Sequence, residues 1–332
     1  MLKNFSYAKA GSLDQAAEWA NTTAADLSNG GAEVARSTVV KAGGIDLLDM
    51  MKEGLLSPDR IVAIHRLEGH DQIQTVDSAR NTRLGCLVTL AQLADNDDLK
   101  QRYTALAEAA DHAATPNVRR MATLGGNLMQ RPRCPYFRSK YHNCLKKGGD
   151  ECYALTGPAE LHAIFNNQTC AFVHASSVST GLLAFDPIVT TNRRDLPLAD
   201  FFVTPDEDVS RENVIEAGEL IVSVQLNGQD RVSAYQKTTP RDSYDWALVD
   251  VAVSAVRSGN RLGDYRVVLG AVGPQPMRAT EVENYLNGKS LNEKVIRRAG
   301  ELATQGATPL DGNAYKIPML AATVRHVLTR LA

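Results

Sequence analysis

Residues 37–54, STVVKAGGIDLLDMMKEG, set two adjacent glycines, Gly43 and Gly44, between a short apolar run and an amphipathic segment. The run reads as a strand ending in a glycine turn. DLLDMMKEG reads as a helix stopped by Gly54. Glycine reaches φ > 0 at little cost and lets another group approach the backbone closely. A glycine turn from strand into helix aims N–H groups outward, and the helix dipole favours an anion there. The turn therefore suits a phosphate or pyrophosphate, although a tight connection without a ligand has the same sequence appearance.

A second pair, Gly125-Gly126, lies in MATLGGNLMQRPRC. Thr123 and Asn127 add a hydroxyl and an amide able to hydrogen-bond a phosphate or polyol. Two such turns about 80 residues apart suggest two lips of one extended ligand site, each offering free main-chain N–H groups. The familiar nucleotide fingerprints are missing. There is no G-x-G-x-x-G. NGKS at 287–290 resembles the end of a P-loop, but position 283 is Glu, so Gly288 reads as a helix stop.

Around these turns a β–α–β rhythm fills residues 1–58, opened by a capping box of Ser12 and Gln15. RIVAIHRL is a further strand. RLGCLVTLAQLADNDDL reads as strand then helix, and YTALAEAADHAA as helix. HAIFNNQTCAFVHA and FDPIVTTNRRDLPLADFF read as strands and turns. A boundary is expected near residue 228. Beyond it RVSAYQKTT, ALVDVAVSAVRSG and YRVVLGAV look like consecutive antiparallel strands, and three helical patterns close the chain. With 332 residues, 44% of them apolar, there is material for more than one core. A net charge of −2 provides no basic field for nucleic acid or a membrane surface. No apolar run approaches the roughly 20 residues of a membrane span. The opening residues lack the apolar core of a secretory leader, so the expected compartment is the cytoplasm, with export alongside a signal-bearing partner as the alternative.

Of five cysteines, Cys86 stands alone, while Cys134-x9-Cys144-x7-Cys152-x17-Cys170 share one basic stretch. No C-x-x-C knuckle occurs, which argues against a zinc ribbon. Four thiolates can hold a [4Fe–4S] cluster, whose negative charge Arg131, Arg133, Arg138, Lys140, Lys146 and Lys147 could offset. A zinc site using His142, or thiols without a metal, remain open on spacing alone.

The segments KAGGIDLLDMMKEG, RLGCLVTLAQLA, VRRMATLGGNLMQRPRC, LPLADFF, AGELIVSVQL, YQKTTPRDSYDWALVDVAV and VVLGAVGPQPMRA follow one another through the chain. In this order they resemble the FAD-binding medium subunit of the xanthine dehydrogenase (molybdenum hydroxylase) family. QRPRCPY with three further cysteines is similar to the subgroup whose flavin subunit carries an additional [4Fe–4S] cluster, as in periplasmic aldehyde oxidoreductase and 4-hydroxybenzoyl-CoA reductase. The implied fold is α+β: two α/β FAD-binding subdomains, 1–58 and 59–228, the second carrying an iron–sulfur loop at 131–170. A C-terminal flavoprotein domain, 229–332, follows as an antiparallel sheet with helices.

The resemblance implies that Val39, Val40, Lys41, Ala42, Gly43, Gly44, Ile45, Asp46 and Leu47 wrap the FAD pyrophosphate. It places Thr123, Gly126 and Asn127 on the other lip, and Lys237 near the flavin. It makes Cys134, Cys144, Cys152 and Cys170 the cluster ligands and leaves Cys86 as a small apolar filler. Two departures stand out: Ile45 where Thr is usual, and His174-Ala175-Ser176-Ser177 where relatives read HPSD. Tyr244 is expected near the cofactor, Trp246 in the core, and His174 either near the flavin or as a structural histidine. The implied function is that of an electron-transfer flavoprotein subunit. A large partner would hold the molybdenum cofactor and oxidise an aldehyde, purine or aromatic substrate. A small partner would hold [2Fe–2S] clusters, and FAD would pass electrons to an external acceptor. A stand-alone flavin oxidoreductase, a redox-sensing FAD/iron–sulfur module and a zinc-stabilised binding protein are the competing classes.

Overall fold

The computed structural model describes residues 2–28, 36–77, 80–242, 244–259 and 261–332. Its strands form three sheets among these residues, each with its own helices.

The first unit has strands β1 (Ser6–Lys9), β2 (Thr38–Lys41) and β3 (Arg60–Ala63), all parallel in the order β1-β3-β2. Helices α1 (Leu13–Trp19), α2 (Ala24–Ser28) and α3 (Ile45–Glu53) connect them. The Ser12 hydroxyl caps α1 by accepting the Gln15 N–H, and Gln15 Oε1 reaches back to the Gly11 N–H. Gly54 ends α3 in the left-handed conformation, φ 76°, as its position predicts. β3 is the middle strand, so a boundary at residue 58 would cut the sheet. Strand order in a parallel sheet is a long-range property that a linear rhythm does not carry.

The second unit begins with β4 (Ile73–Thr75) and β5 (Thr82–Gly85). Six helices follow: α4 (Leu90–Asp95), α5 (Asp97–Arg102), α6 (Thr104–Asp111), α7 (Pro116–Arg119), α8 (Leu124–Leu128) and α9 (Pro135–Arg138). After the cysteine segment come α10 (Ser177–Leu183), β6 (Ile188–Thr191), β7 (Asp195–Pro197) and β8 (Ile221–Leu226). The sheet is antiparallel, ordered β4-β5-β8-β6-β7. Residues 162–175, expected as strands, are irregular. Their N–H groups bond in two directions, Ala163 to the Ala171 carbonyl and Ile164 to Val272, which makes a folded loop rather than an edge.

The third unit is the antiparallel sheet β12-β11-β10-β9, from β9 (Arg231–Thr238), β10 (Val249–Ser258), β11 (Arg261–Gly270) and β12 (Met277–Arg278). Helices α11 (Thr280–Leu286), α12 (Glu293–Leu302) and α13 (Lys316–Leu331) complete it. β10 is buried on both faces. Val249, Val251, Val253 and Ala255 join the core under the C-terminal helices. Ala252 joins the core shared with α6 and α10 of the second unit. Each buried valine stabilises by about 1.5–3 kcal/mol relative to exposure. This core locks the second and third units together beneath the site.

Candidate functional site: a glycine-lipped cleft and a cysteine-lined cavity

The end of β2 and the start of α3 form one lip of a cleft of about 1260 Å³, open mouth included; the turn before α8 forms the other. Every residue from Val39 to Leu47 lines it, with Thr123, Gly126 and Asn127 opposite. A β-carbon on Gly43 would fall 1.8 Å from the Met121 carbonyl oxygen, so only glycine lets the lips meet this closely. Gly44 adopts φ 82° and gives α3 no side-chain cap. The first N–H groups of α3 thus lack partners within the helix, and the positive end of its dipole faces the cleft.

The second lip works differently from the sequence expectation. Its main-chain N–H groups are engaged: Leu124 to the Val88 carbonyl, Gly125 to Cys86, Gly126 to Thr123 Oγ1 and Asn127 to the Thr123 carbonyl. What it offers is side-chain chemistry, the Thr123 hydroxyl proton and the Asn127 NH2 group. Ser176 Oγ donates to Asn127 Oδ1 and fixes that amide.

Asp46 lines the cleft but faces the cysteine segment. It accepts the Arg131 N–H at 2.7 Å and the guanidiniums of Arg133 and Arg138. Burial alone would raise its pKa; the two arginines and the Arg131 N–H outweigh that and hold it below the usual carboxylate range. Arg133 also lines the cleft and lies over the Trp246 ring at 4.8 Å. Trp246 is therefore half exposed at this edge, not in the core, because a cation covers only one of its faces. Tyr244 is likewise exposed, in the left-handed region at φ 59°.

Lys237 is not brought to the cleft lining. Its Nζ donates to the His112 carbonyl at 2.9 Å, and burial lowers its pKa against the pull of Asp250 and Asp245. A strand position predicts which face a side chain takes but not where a long flexible one ends. Ser177 does not line the cleft either; it bonds the buried pair Tyr235 and Asp250. His174 is fully buried, with Nε2 unpartnered and its pKa pushed down to about 4 by burial. Sequence reasoning missed the far wall, formed by Thr22, Thr23 and the Ile215–Ile221 return into β8. The AGEL motif was its only signal.

Nearby, Cys134, Cys144, Cys152 and Cys170 line one small cavity together with Tyr136, Phe137, Tyr153 and Phe172. Main-chain N–H groups lie close to each sulfur: Tyr136 and Phe137 by Cys134, Lys146 and Lys147 by Cys144, Ala154, Leu155 and Ala171 by Cys152, Phe172 by Cys170; those of Lys147 and Leu155 also donate to the Cys144 and Cys152 carbonyls. Converging amides stabilise anionic sulfur. Cys152 and Cys170 share a hydrogen bond, which holds Cys152 down near 6 and raises Cys170. His142 instead bonds Ser139 Oγ at 3.0 Å. No three His, Cys, Asp or Glu groups among the described residues converge on a point fit for a single ion. Zinc wants its sulfurs about 2.3 Å from one centre. What the segment offers is four soft sulfur donors around one cavity. Cys86 lies apart, packed against Gly125, with burial pushing its thiol up to about 12.

The expected counter-charges divide into two groups. Arg131 and Lys146, each 1% exposed, share the single carboxylate of Glu212 at 2.9 and 2.7 Å, leaving one net positive charge beside the cavity. Arg133 and Arg138 share Asp46. Lys147 donates to the Ser139 carbonyl, and Lys140 lies over the Tyr141 ring.

Residues 3–226 match the family described as "FAD binding domain in molybdopterin dehydrogenase", and residues 233–329 match "CO dehydrogenase flavoprotein C-terminal domain". The chain is 32% identical over 297 residues to the aldehyde oxidoreductase FAD-binding subunit PaoB of Escherichia coli (strain K12), across 86% of this chain and 89% of that one. It is 25% identical over 293 residues to the carbon monoxide dehydrogenase medium chain of Hydrogenophaga pseudoflava, 86% of each chain. A solved structure of carbon monoxide dehydrogenase from that organism shares the fold, with a TM-score of 0.72 over 99% of this chain and 97% of the other at 21% identity. No helix among the described residues is long and apolar enough to cross a membrane. The chain belongs to the FAD-binding medium subunits of the molybdenum hydroxylase (xanthine dehydrogenase) family.

Proposed function

We propose that FAD lies in the glycine-lipped cleft and a [4Fe–4S] cluster on Cys134, Cys144, Cys152 and Cys170. The chain then serves as the electron-transfer subunit of a complex with a large molybdenum-cofactor subunit and a small [2Fe–2S] subunit. The complex oxidises an aldehyde, purine or aromatic substrate, and the flavin subunit delivers the electrons to an external acceptor. It works in the cytoplasm unless a signal-bearing partner carries it out.

The observation that carries the flavin assignment is the meeting of both glycine turns in one cleft, with the uncapped start of α3 at its edge. In this reading the N–H groups at Gly43–Asp46 bind the diphosphate. Thr123 and Asn127 donate from the opposite lip and orient it. Ile45 costs one hydroxyl but no backbone donor. The cluster assignment rests on four sulfurs around one cavity with main-chain amides close to each. The single net positive charge of Arg131, Lys146 and Glu212 favours an anionic occupant, and the aromatic rings of Tyr136, Phe137, Tyr153 and Phe172 keep water off it. Bound FAD and the cluster supply the electron-transfer chemistry; the chain supplies position, charge and shielding. Asp46 ties the two sites, since one carboxylate holds the start of α3 to Arg131, Arg133 and Arg138.

Anaerobic purification with flavin and iron analysis tests the assignment. One FAD and about four irons per chain are expected for a [4Fe–4S] site. Serine at any of the four clustered cysteines is expected to lower iron content, and Cys86→Ser to leave it unchanged. A colourless protein free of both would end the reading.

A further inference from the structure

His162 lies 3% exposed against the cysteine cavity, with its Nε2 3.3 Å from Cys134 Sγ. Its placement is set from several sides. The ring stacks on Tyr136 with centroids 5.7 Å apart and planes 28° from parallel. The His162 N–H donates to the Ala159 carbonyl at 2.9 Å. Its own carbonyl accepts from Asn313 Nδ2, and the preceding carbonyl, of Leu161, accepts from Lys316 Nζ at the start of α13. Ala163 bonds the Ala171 carbonyl, next to Cys170. The third unit thus braces the imidazole against the second unit's cysteine segment.

The ring's other nitrogen, Nδ1, is buried without a hydrogen-bond partner. A cysteine that ligates iron is a thiolate and can only accept a hydrogen bond. The contact is favourable only with the proton on Nε2; the Ala159 carbonyl also lies near the ring, but it already accepts the His162 main-chain N–H and makes no well-formed hydrogen bond with Nδ1. The other donors near the sulfurs are main-chain amides, which only a change to proline would remove. His162 is a side-chain donor to this cage, and it is mutable.

Resting on the cluster reading above, we propose that His162 is a positioning residue that donates its Nε2–H to the Cys134 sulfur and raises the reduction potential of the cluster. Adding an electron makes the cluster more negative, and a hydrogen bond to a ligating sulfur stabilises that state more than the oxidised one.

The test uses the full complex with wild-type, His162→Leu and His162→Gln chains. Iron content is measured, and the cluster is titrated under electron paramagnetic resonance with the FAD midpoint as internal reference. His162→Leu is expected to keep its iron and shift the cluster about tenfold toward the oxidised form, about 59 mV lower for one electron. The FAD midpoint should stay in place. His162→Gln, whose amide retains an N–H donor, should recover part of the shift. Iron-loaded variants that both titrate at the wild-type midpoint overturn the proposal. If the leucine variant loses its iron, wild-type protein labelled with 15N-histidine decides. A weak 15N coupling on the reduced cluster is expected, and its absence overturns the role. A wild-type chain without iron sinks the cluster reading and this inference together.

Discussion

The carbonyl oxygen of Met121 occupies the space that a β-carbon on Gly43 would need, 1.8 Å from its ideal position. The two lips touch backbone to backbone, so Gly43→Ala must part them. FAD affinity should fall at least about tenfold, the equivalent of about 1.4 kcal/mol, as measured by fluorescence of released flavin. Gly54→Ala is the control. Its β-carbon meets open space, but φ is 76°. It should cost roughly 1–2 kcal/mol of stability and leave the flavin bound as tightly as before.

Glu212 joins the buried cations Arg131 and Lys146 through one carboxylate. Burial would raise its pKa, but the two cations hold it below the usual carboxylate range. Glu212→Gln leaves two buried charges with uncharged carbonyl and hydroxyl partners alone. Breaking such a pair costs about 3–5 kcal/mol, and a lower urea midpoint should report it. A variant within experimental error of wild type would show that uncharged partners suffice.

Much of this was legible in the sequence where the signal is local. The glycine pairs, the Ser12 cap and the Gly54 and Gly288 stops depend on a few adjacent residues, and they stand where the chain predicts. That the four cysteines belong together was implied by the resemblance and not by their spacing, and they do line one cavity. Long-range geometry was not legible. β3 belongs between β1 and β2 through pairings that no local pattern states. Two amides of the second lip, those of Leu124 and Gly125, are consumed by Val88 and Cys86, 36 and 39 residues away. His162 reads like any histidine until Asn313 and Lys316, 150 residues on, brace it. Lys237 shows the same limit: its strand was evident, its side-chain destination was not.

That destination gives a sharp test. Lys237 donates to the His112 carbonyl and does not line the cleft. Lys237→Met should bind FAD with unchanged stoichiometry and affinity. A loss of flavin affinity of about tenfold or more, 1.4 kcal/mol, would return Lys237 to the cofactor's contacts.

His174 contributes to the pH dependence of stability above the carboxylate range. Burial pushes its pKa from 6.5 down to about 4, while Glu212 pulls weakly the other way. Between those values the unfolded chain carries a proton on this ring and the folded chain does not. Stability must therefore fall as pH drops from 6.5 toward 4, by about 3 kcal/mol in all. Asp46 and Glu212, both depressed, lose their contribution only below about 4.5, while buried Asp250, whose pKa is raised, works against the fall. His65 and His162 are lowered by burial as well. The difference between wild type and His174→Gln isolates the one ring. Urea midpoints measured at intervals from pH 7 to pH 4.5 should fall less steeply for the variant, and parallel curves would mean that His174 is protonated in the folded chain.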